Sequence, residues 1–431
     1  MIKCIKEQKE ELSIKEHPFL NTAYNIAKQL AKEAIWSVDG CCNWQGTAIE
    51  YVNGSYQMVN RTFKSDLYNG LSGIALFLAE FLAKKKDDVL QLVLEGAVKN
   101  ILLQFKAAPL DCKFGLYSGQ LGVGFALWQI GVLNKNTVWK EAGLKMVRNL
   151  KEDEISEIDV ITGVAGAIAP LLKMHRVEQD DVFLKLAISC GEFLIKEACK
   201  NDTSWTWKTI PSRPGLAGYS HGNAGMALAL LELWQKTKDD KYYQAAFMGF
   251  QYERELFNKE MNNWPDLRDC KEQKTYTSKH LYSRVMWCHG AAGIGLSRLA
   301  AYQMTSDLDF LQEIRIAMET TSKDIIGQLN NSESINYSLC HGIAGNADIL
   351  LSGGLLLNEM SYIQLAQQAG VLGIERYDKN GKAWPSGVND PNGLTTNKNQ
   401  TPGLLLGLAG TGHFYLRLAF PDEIDSVLLI R

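Results

Sequence analysis

Two cysteine–histidine dipeptides, Cys288-His289 and Cys340-His341, each stand immediately before a Gly-x-x-Gly turn, at Gly290 and Gly342. Thiolate and imidazole are the preferred ligands of zinc, and a site with three protein ligands keeps a fourth position open for a reactant. Adjacent residues can both approach one ion only where the backbone turns sharply, which the following glycine permits. A single such dipeptide reads as a small buried thiol beside a turn histidine. Two at matching places in a repeat point to metal, and neither spacing is that of a zinc finger. A third histidine, His221, holds the same place before Gly222 without a cysteine partner. Its ring suits proton transfer, metal ligation or helix capping. Asp159, four residues before Gly163, needs a partner or a task if it faces an apolar cavity. Arg284 lies four residues, the length of one helical turn, before Cys288; its plainer reading is a surface arginine at a loop end.

The elements that position these residues recur along the chain. The Gly-x-x-Gly turn starts at Gly70, Gly119, Gly163, Gly222, Gly290, Gly342 and Gly407, with intervals of 49, 44, 59, 68, 52 and 65 residues. Each interval holds two ordinary helices and their loops. An Ala/Leu-rich run follows each turn, apolar on nearly all sides, as in a buried helix. Amphipathic stretches such as Asp87 to Phe105 and Asp180 to Cys199 lie between these runs and predict covering helices. The pattern predicts an all-α toroid, seven inner helices ringed by seven outer ones, read as one domain over residues 1–431. If all seven turns lie at one end, the residues flanking them converge on one cavity. The segment Thr47 to Val59, centred on Asn53-Gly54, predicts a β-hairpin inserted in this domain. The polar spans Asn258 to Ser283 and Arg376 to Pro402 predict rim loops of functional length.

Composition narrows the function. The chain has 431 residues with 45 Lys+Arg against 48 Asp+Glu, a net charge of −3 that argues against nucleic-acid partners. No run approaches the ~18–20 apolar residues of a membrane span, and Met1 to Phe19 lacks the apolar core of a secretion signal. Nine scattered cysteines show no paired framework, so the expected location is cytoplasmic.

The order of Ser220-His221-Gly222, Trp287-Cys288-His289-Gly290 and Cys340-His341-Gly342 within seven Gly-x-x-Gly turns resembles the lanthionine synthetase C-like family, from about Asn69 to Leu418. In length it resembles the stand-alone cyclases of class I lanthipeptide pathways. The resemblance implies an α/α toroid with one Zn2+ per chain, held by Cys288, Cys340 and His341. It places the family's acid/base histidine on His221, its catalytic aspartate on Asp159 and its arginine on Arg284. Position 289 varies in the family, so His289 is not counted as a ligand. The implied substrate is a precursor peptide with a leader, its Ser and Thr dehydrated to dehydroalanine and dehydrobutyrine. A peptide cysteine, held on zinc as thiolate, adds to the alkene and leaves a thioether ring. A dehydratase and an exporter are the implied further partners, with peripheral attachment to a membrane complex. Two alternatives stand beside this: a relative adding a small thiol such as glutathione, and a zinc-bearing scaffold that binds peptide without catalysis. A glycosidase or epimerase on a similar toroid would need paired carboxylates at the turns, where cysteine–histidine pairs stand instead.

Overall fold

The computed structural model describes residues 17–52, 55–107, 110–270, 282–331, 335–388 and 400–431. Parts of both expected rim loops and the Asn53-Gly54 turn lie outside these residues. In chain order the helices are α1 (Pro18–Glu33), α2 (Leu71–Lys84), α3 (Asp88–Ala107), α4 (Gln120–Leu133), α5 (Thr137–Arg148), α6 (Val164–Glu178) and α7 (Asp181–Glu197). There follow α8 (Asn223–Thr237), α9 (Asp240–Leu256), α10 (Ala291–Thr305), α11 (Leu308–Asn330), α12 (Ile343–Leu357), α13 (Met360–Gly373) and α14 (Leu408–Ala419).

The even-numbered helices form a closed inner ring, each packed on the next, with α14 returning to α2. Every residue of α2 from Leu71 to Leu82 is buried. Its neighbour α3 buries one stripe, Leu90, Val93, Leu94, Gly96, Ala97, Val98 and Ile101, and turns its opposite face to solvent. Six outer helices, α3 to α13, each cover the inner helix that precedes them; the seventh is α1, which packs on α14. The outer ring is thus closed by α1, the first helix among the described residues, which carries no glycine turn. No helix among the described residues is long and apolar enough to cross a membrane.

The first glycine of every turn is the N-cap of an inner helix. The second glycine answers a different constraint. A Cβ there would lie 1.6–2.4 Å from the carbonyl oxygen three residues before the first glycine, at Leu67, Leu116, Val160, Tyr219, Trp287, Leu339 and Leu404. The incoming strand crosses directly over the first helical turn, so the crowding comes first from the chain's own loop rather than from a neighbouring helix.

A belt of backbone hydrogen bonds joins the turns. Tyr68 N donates to Tyr117 O, Tyr117 N to Ile161 O, Val160 N to Ser220 O, Ser220 N to Cys288 O, Cys340 N to Leu405 O, and Leu405 N to Tyr68 O. These bonds cover six of the seven junctions; between Cys288 and Cys340 no such bond is found among the described residues.

The hairpin runs over Gln45–Val52 and Ser55–Thr62, longer than expected from the sequence. Its base is extended by Asn43, whose side chain accepts from Phe63 N and donates to Phe63 O, both at 3.1 Å, as a further strand residue would. The loop expected from Arg376 begins later, because a helical turn over Ile374–Asp378 continues α13. Thr22 and Asn25 of α1 bond the Asp378 carboxylate and hold that turn.

Candidate functional site

The junction without a backbone bond is where two sulfurs meet. Cys288 and Cys340 hold the same place in turns five and six, two residues before the first glycine. Their Sγ atoms and a ring nitrogen of His341 lie within 4.8 Å of one another. Zn–S near 2.3 Å and Zn–N near 2.0 Å put tetrahedral donors about 3.5 Å apart, a small inward movement from this arrangement. Nε2 of His341 lies 2.6 Å from the Gly387 carbonyl oxygen. A carbonyl only accepts, so Nε2 carries the proton and Nδ1 keeps its lone pair, the tautomer that a ligand requires. Burial holds the His341 pKa below its ordinary value, favouring the neutral ring. The Tyr68 hydroxyl donates to Cys340 Sγ at 3.1 Å. A hydrogen bond between the two thiols holds the pKa of Cys288 down despite burial, helped by the Arg268 and His221 charges. The same bond, with burial, pushes Cys340 up. Two buried thiols and one imidazole of fixed tautomer fit a single soft or borderline metal ion.

Beside this cluster His221 and Asp159 are joined, Nδ1 to Oδ2, at 2.5 Å. The other carboxylate oxygen of Asp159 accepts from Thr162 N at 2.7 Å, Thr162 Oγ1 at 2.9 Å and Gly163 N at 3.1 Å. Burial would raise the Asp159 pKa, but the His221 bond and these donors hold it below the ordinary carboxylate range. An ionised Asp159 is acceptor-only, so Nδ1 of His221 carries hydrogen and Nε2 is left to exchange a proton. The His221 side chain is 37% exposed, enough to meet a reactant.

Arg284 lies in a non-helical loop, so its spacing from Cys288 is not a helical turn. Its Nε is 3.2 Å from Asp266 Oδ2, and its guanidinium stacks over Tyr282 at 4.8 Å. Asp266 is also gripped by Arg268, whose NH2 lies 2.6 Å from Oδ2. Against burial, the Arg268 bond and nearby His289 and Arg268 charges lower the Asp266 pKa to about 2. His289 is buried 6.1 Å, ring to ring, from His221, its pKa lowered to about 3 by burial and then by Arg268. It stands outside the three-residue cluster. Beside His341 opens a cavity of about 560 Å³, lined in part by Tyr68, Gly387, Phe63 and Lys64. Tyr68, Asp266, Arg268 and Gly387 escaped the sequence reading. Tyr68 could have been found from its register, two residues before Gly70, the place that Cys288 and Cys340 occupy in their own turns.

Residues 62–429 match the family described as lanthionine synthetase C-like protein. The Lactococcus lactis subsp. lactis protein LcnDR2, of lacticin 481/lactococcin biosynthesis, is 25% identical over 337 residues, 73% of this chain and 32% of that protein. The chain thus spans about a third of that relative's length. Among solved structures, nisin cyclase superposes with a TM-score of 0.61 at 20% identity, covering 84% of this chain and 90% of that one. A family 76 glycoside hydrolase from a bovine Bacteroides thetaiotaomicron strain gives 0.51 at 10% identity, covering 95% and 79%. At these identities the likeness shows the fold, one that hosts unrelated chemistries.

Proposed function

We infer that this chain, which belongs to the lanthionine synthetase C-like family, is a zinc-dependent cyclase that joins peptide cysteine sulfurs to dehydroalanine and dehydrobutyrine residues. One observation carries the reading: a Cys288, Cys340 and His341 donor set stands beside a His221–Asp159 pair whose tautomer leaves Nε2 available. Bound zinc would supply a peptide cysteine as thiolate at neutral pH, against a free-thiol value of about 8.5.

The reaction then needs proton control. As the sulfur bonds to the β-carbon, the alkene electron pair moves to the α-carbon and is shared with the adjacent carbonyl as an enolate. One proton leaves the incoming thiol and one reaches the α-carbon. Nε2 of His221 is the group for this exchange, and Asp159 orients the ring and stabilises its charged form. Arg284, with Arg268 beside it, would offset negative charge as the enolate develops. The substrate in this reading is a dehydrated precursor peptide, with a dehydratase acting upstream. Metal analysis of the purified chain and of Cys340→Ala tests the premise: about one zinc per wild-type chain and none in the variant are expected. Folded wild-type protein that takes up no zinc would overturn it.

A further inference from the structure

Beyond α14 the chain turns back into the barrel. Ser426, Val427, Leu428 and Ile430 are buried, and their contacts come from around the inner ring. Ser426 Oγ donates to Asp348 of α12. Val427 N donates to Nε2 of His413 on α14 at 3.3 Å, and Nδ1 of that ring is 2.7 Å from Glu80 of α2. Arg431 reaches Glu232 of α8 at 3.5 Å and Gln303 of α10. A segment with partners on four inner helices, and a fifth reached through His413, lies inside the ring.

Its carbonyls meet the underside of the turns. Tyr117 Oη donates to Val427 O at 2.7 Å, and Trp287 Nε1 donates to Leu428 O at 3.0 Å. The two rings stand edge to face, 5.3 Å apart. From each, a short path leads to a sulfur. Trp287 is covalently joined to Cys288. Tyr117 stands perpendicular to Tyr68 at 6.4 Å, and the Tyr68 hydroxyl holds Cys340 Sγ at 3.1 Å.

We propose that the C-terminal segment Ser426–Ile430 is the floor of the metal site, and that Tyr117 and Trp287 are positioning residues through which it sets the separation of Cys288 and Cys340. The backbone belt ties the other turns to one another, but at this junction it is open; Asn346 Nδ2 spans it to Val285 O at 2.9 Å, and the C-terminal segment adds a tie from below. Partners outside the ligand set that orient donors are worth about 10–100-fold in metal affinity. The inference rests on the metal-site reading above.

The test compares Tyr117→Phe with Tyr415→Phe in the full chain. Both remove one buried hydroxyl that donates to a backbone carbonyl, Val427 O at 2.7 Å and Gly370 O at 2.8 Å, but only the first lies on the path to the sulfurs. Zinc affinity is measured by competition with a chromogenic chelator, beside the melting temperature. Tyr117→Phe is expected to bind zinc about tenfold more weakly, and Tyr415→Phe to stay within about twofold of wild type, at similar losses in Tm. Should Tyr117→Phe fail to fold, Trp287→Phe removes the other donor and keeps a ring, with the same weakening expected. Unchanged affinity in the path variant, or equal weakening in both tyrosine variants, overturns the inference while wild type binds zinc. A wild-type chain that binds none overturns the metal-site reading and this inference together.

Discussion

Nδ1 of His221 lies 2.5 Å from Oδ2 of Asp159, across two turns whose residues are 62 positions apart in the chain. The carboxylate divides its work. One oxygen faces the imidazole, and the other receives the Thr162 and Gly163 amides at the start of α6. The imidazole proposed to handle the proton is therefore oriented by a residue that is itself locked to the turn entering α6.

Replacing His221 should separate metal from chemistry. His221→Ala is expected to keep the zinc content of wild type and to slow ring closure by about 10²–10⁴-fold, the usual worth of a positioned acid/base. Metal analysis and a cyclisation time course on one preparation check both. Ring formation at the wild-type rate would remove His221 from the mechanism.

Asp159 should show two separable effects. Asp159→Asn keeps an oxygen for the Thr162 and Gly163 amides but can present an N–H to His221, so activity should fall sharply with little change in Tm. Asp159→Ala should also cost about 1–3 kcal/mol by leaving the Thr162 and Gly163 amides without their acceptor, read by urea denaturation. The depressed Asp159 pKa sets the sign with pH. Its stabilisation is present above the unfolded carboxyl value near ~3.9 and is lost as pH falls through the lower folded value.

Glu232 in α8 behaves oppositely. Burial raises its pKa from 4.5 to about 7, against the Arg431 and Arg176 charges. The folded chain keeps a proton that the unfolded chain releases, so stability falls as pH rises from 4.5 to about 7, then levels. The loss is about 3 kcal/mol. Glu232→Gln should match wild type near pH 4 and melt higher at pH 8, and a difference that does not change with pH would contradict this.

Two glycines should respond in opposite senses. A methyl at Gly293 would stand 1.9 Å from the Trp287 carbonyl, so Gly293→Ala should displace Trp287-Cys288 and lower both Tm and zinc content. Gly327, in α11, has nothing within 4 Å of such a methyl. Gly327→Ala should stabilise by up to about 1 kcal/mol through helix propensity. Differential scanning calorimetry of the pair reads both effects.

The ring architecture was legible because glycine pairs recur before each apolar run, and a repeated constraint leaves a repeated mark. Which segment supplies the seventh outer helix was not, since α1 packs on α14 from far away in the chain and carries no turn of its own. Cys288, Cys340 and His341 could be singled out because equivalent places in successive repeats become neighbours in space. The Asp159–His221 contact has no such register, one residue standing four before its glycine and the other one before. Gly387 acts through a carbonyl, which every residue has. Asp266 and Arg268 lie in a loop without periodicity, where charge alone did not mark them.

Whether this site closes thioether rings can be read in one assay. A leader-bearing precursor peptide containing dehydroalanine and free cysteine is incubated with the zinc-loaded chain, and remaining thiols are counted by alkylation and mass spectrometry. Thiols are expected to disappear without a change in peptide mass, much faster than in buffer, and Cys340→Ala is expected to abolish the acceleration. Peptide that binds the wild-type chain yet keeps its thiols at the buffer rate would rule out the cyclase and leave a binding scaffold.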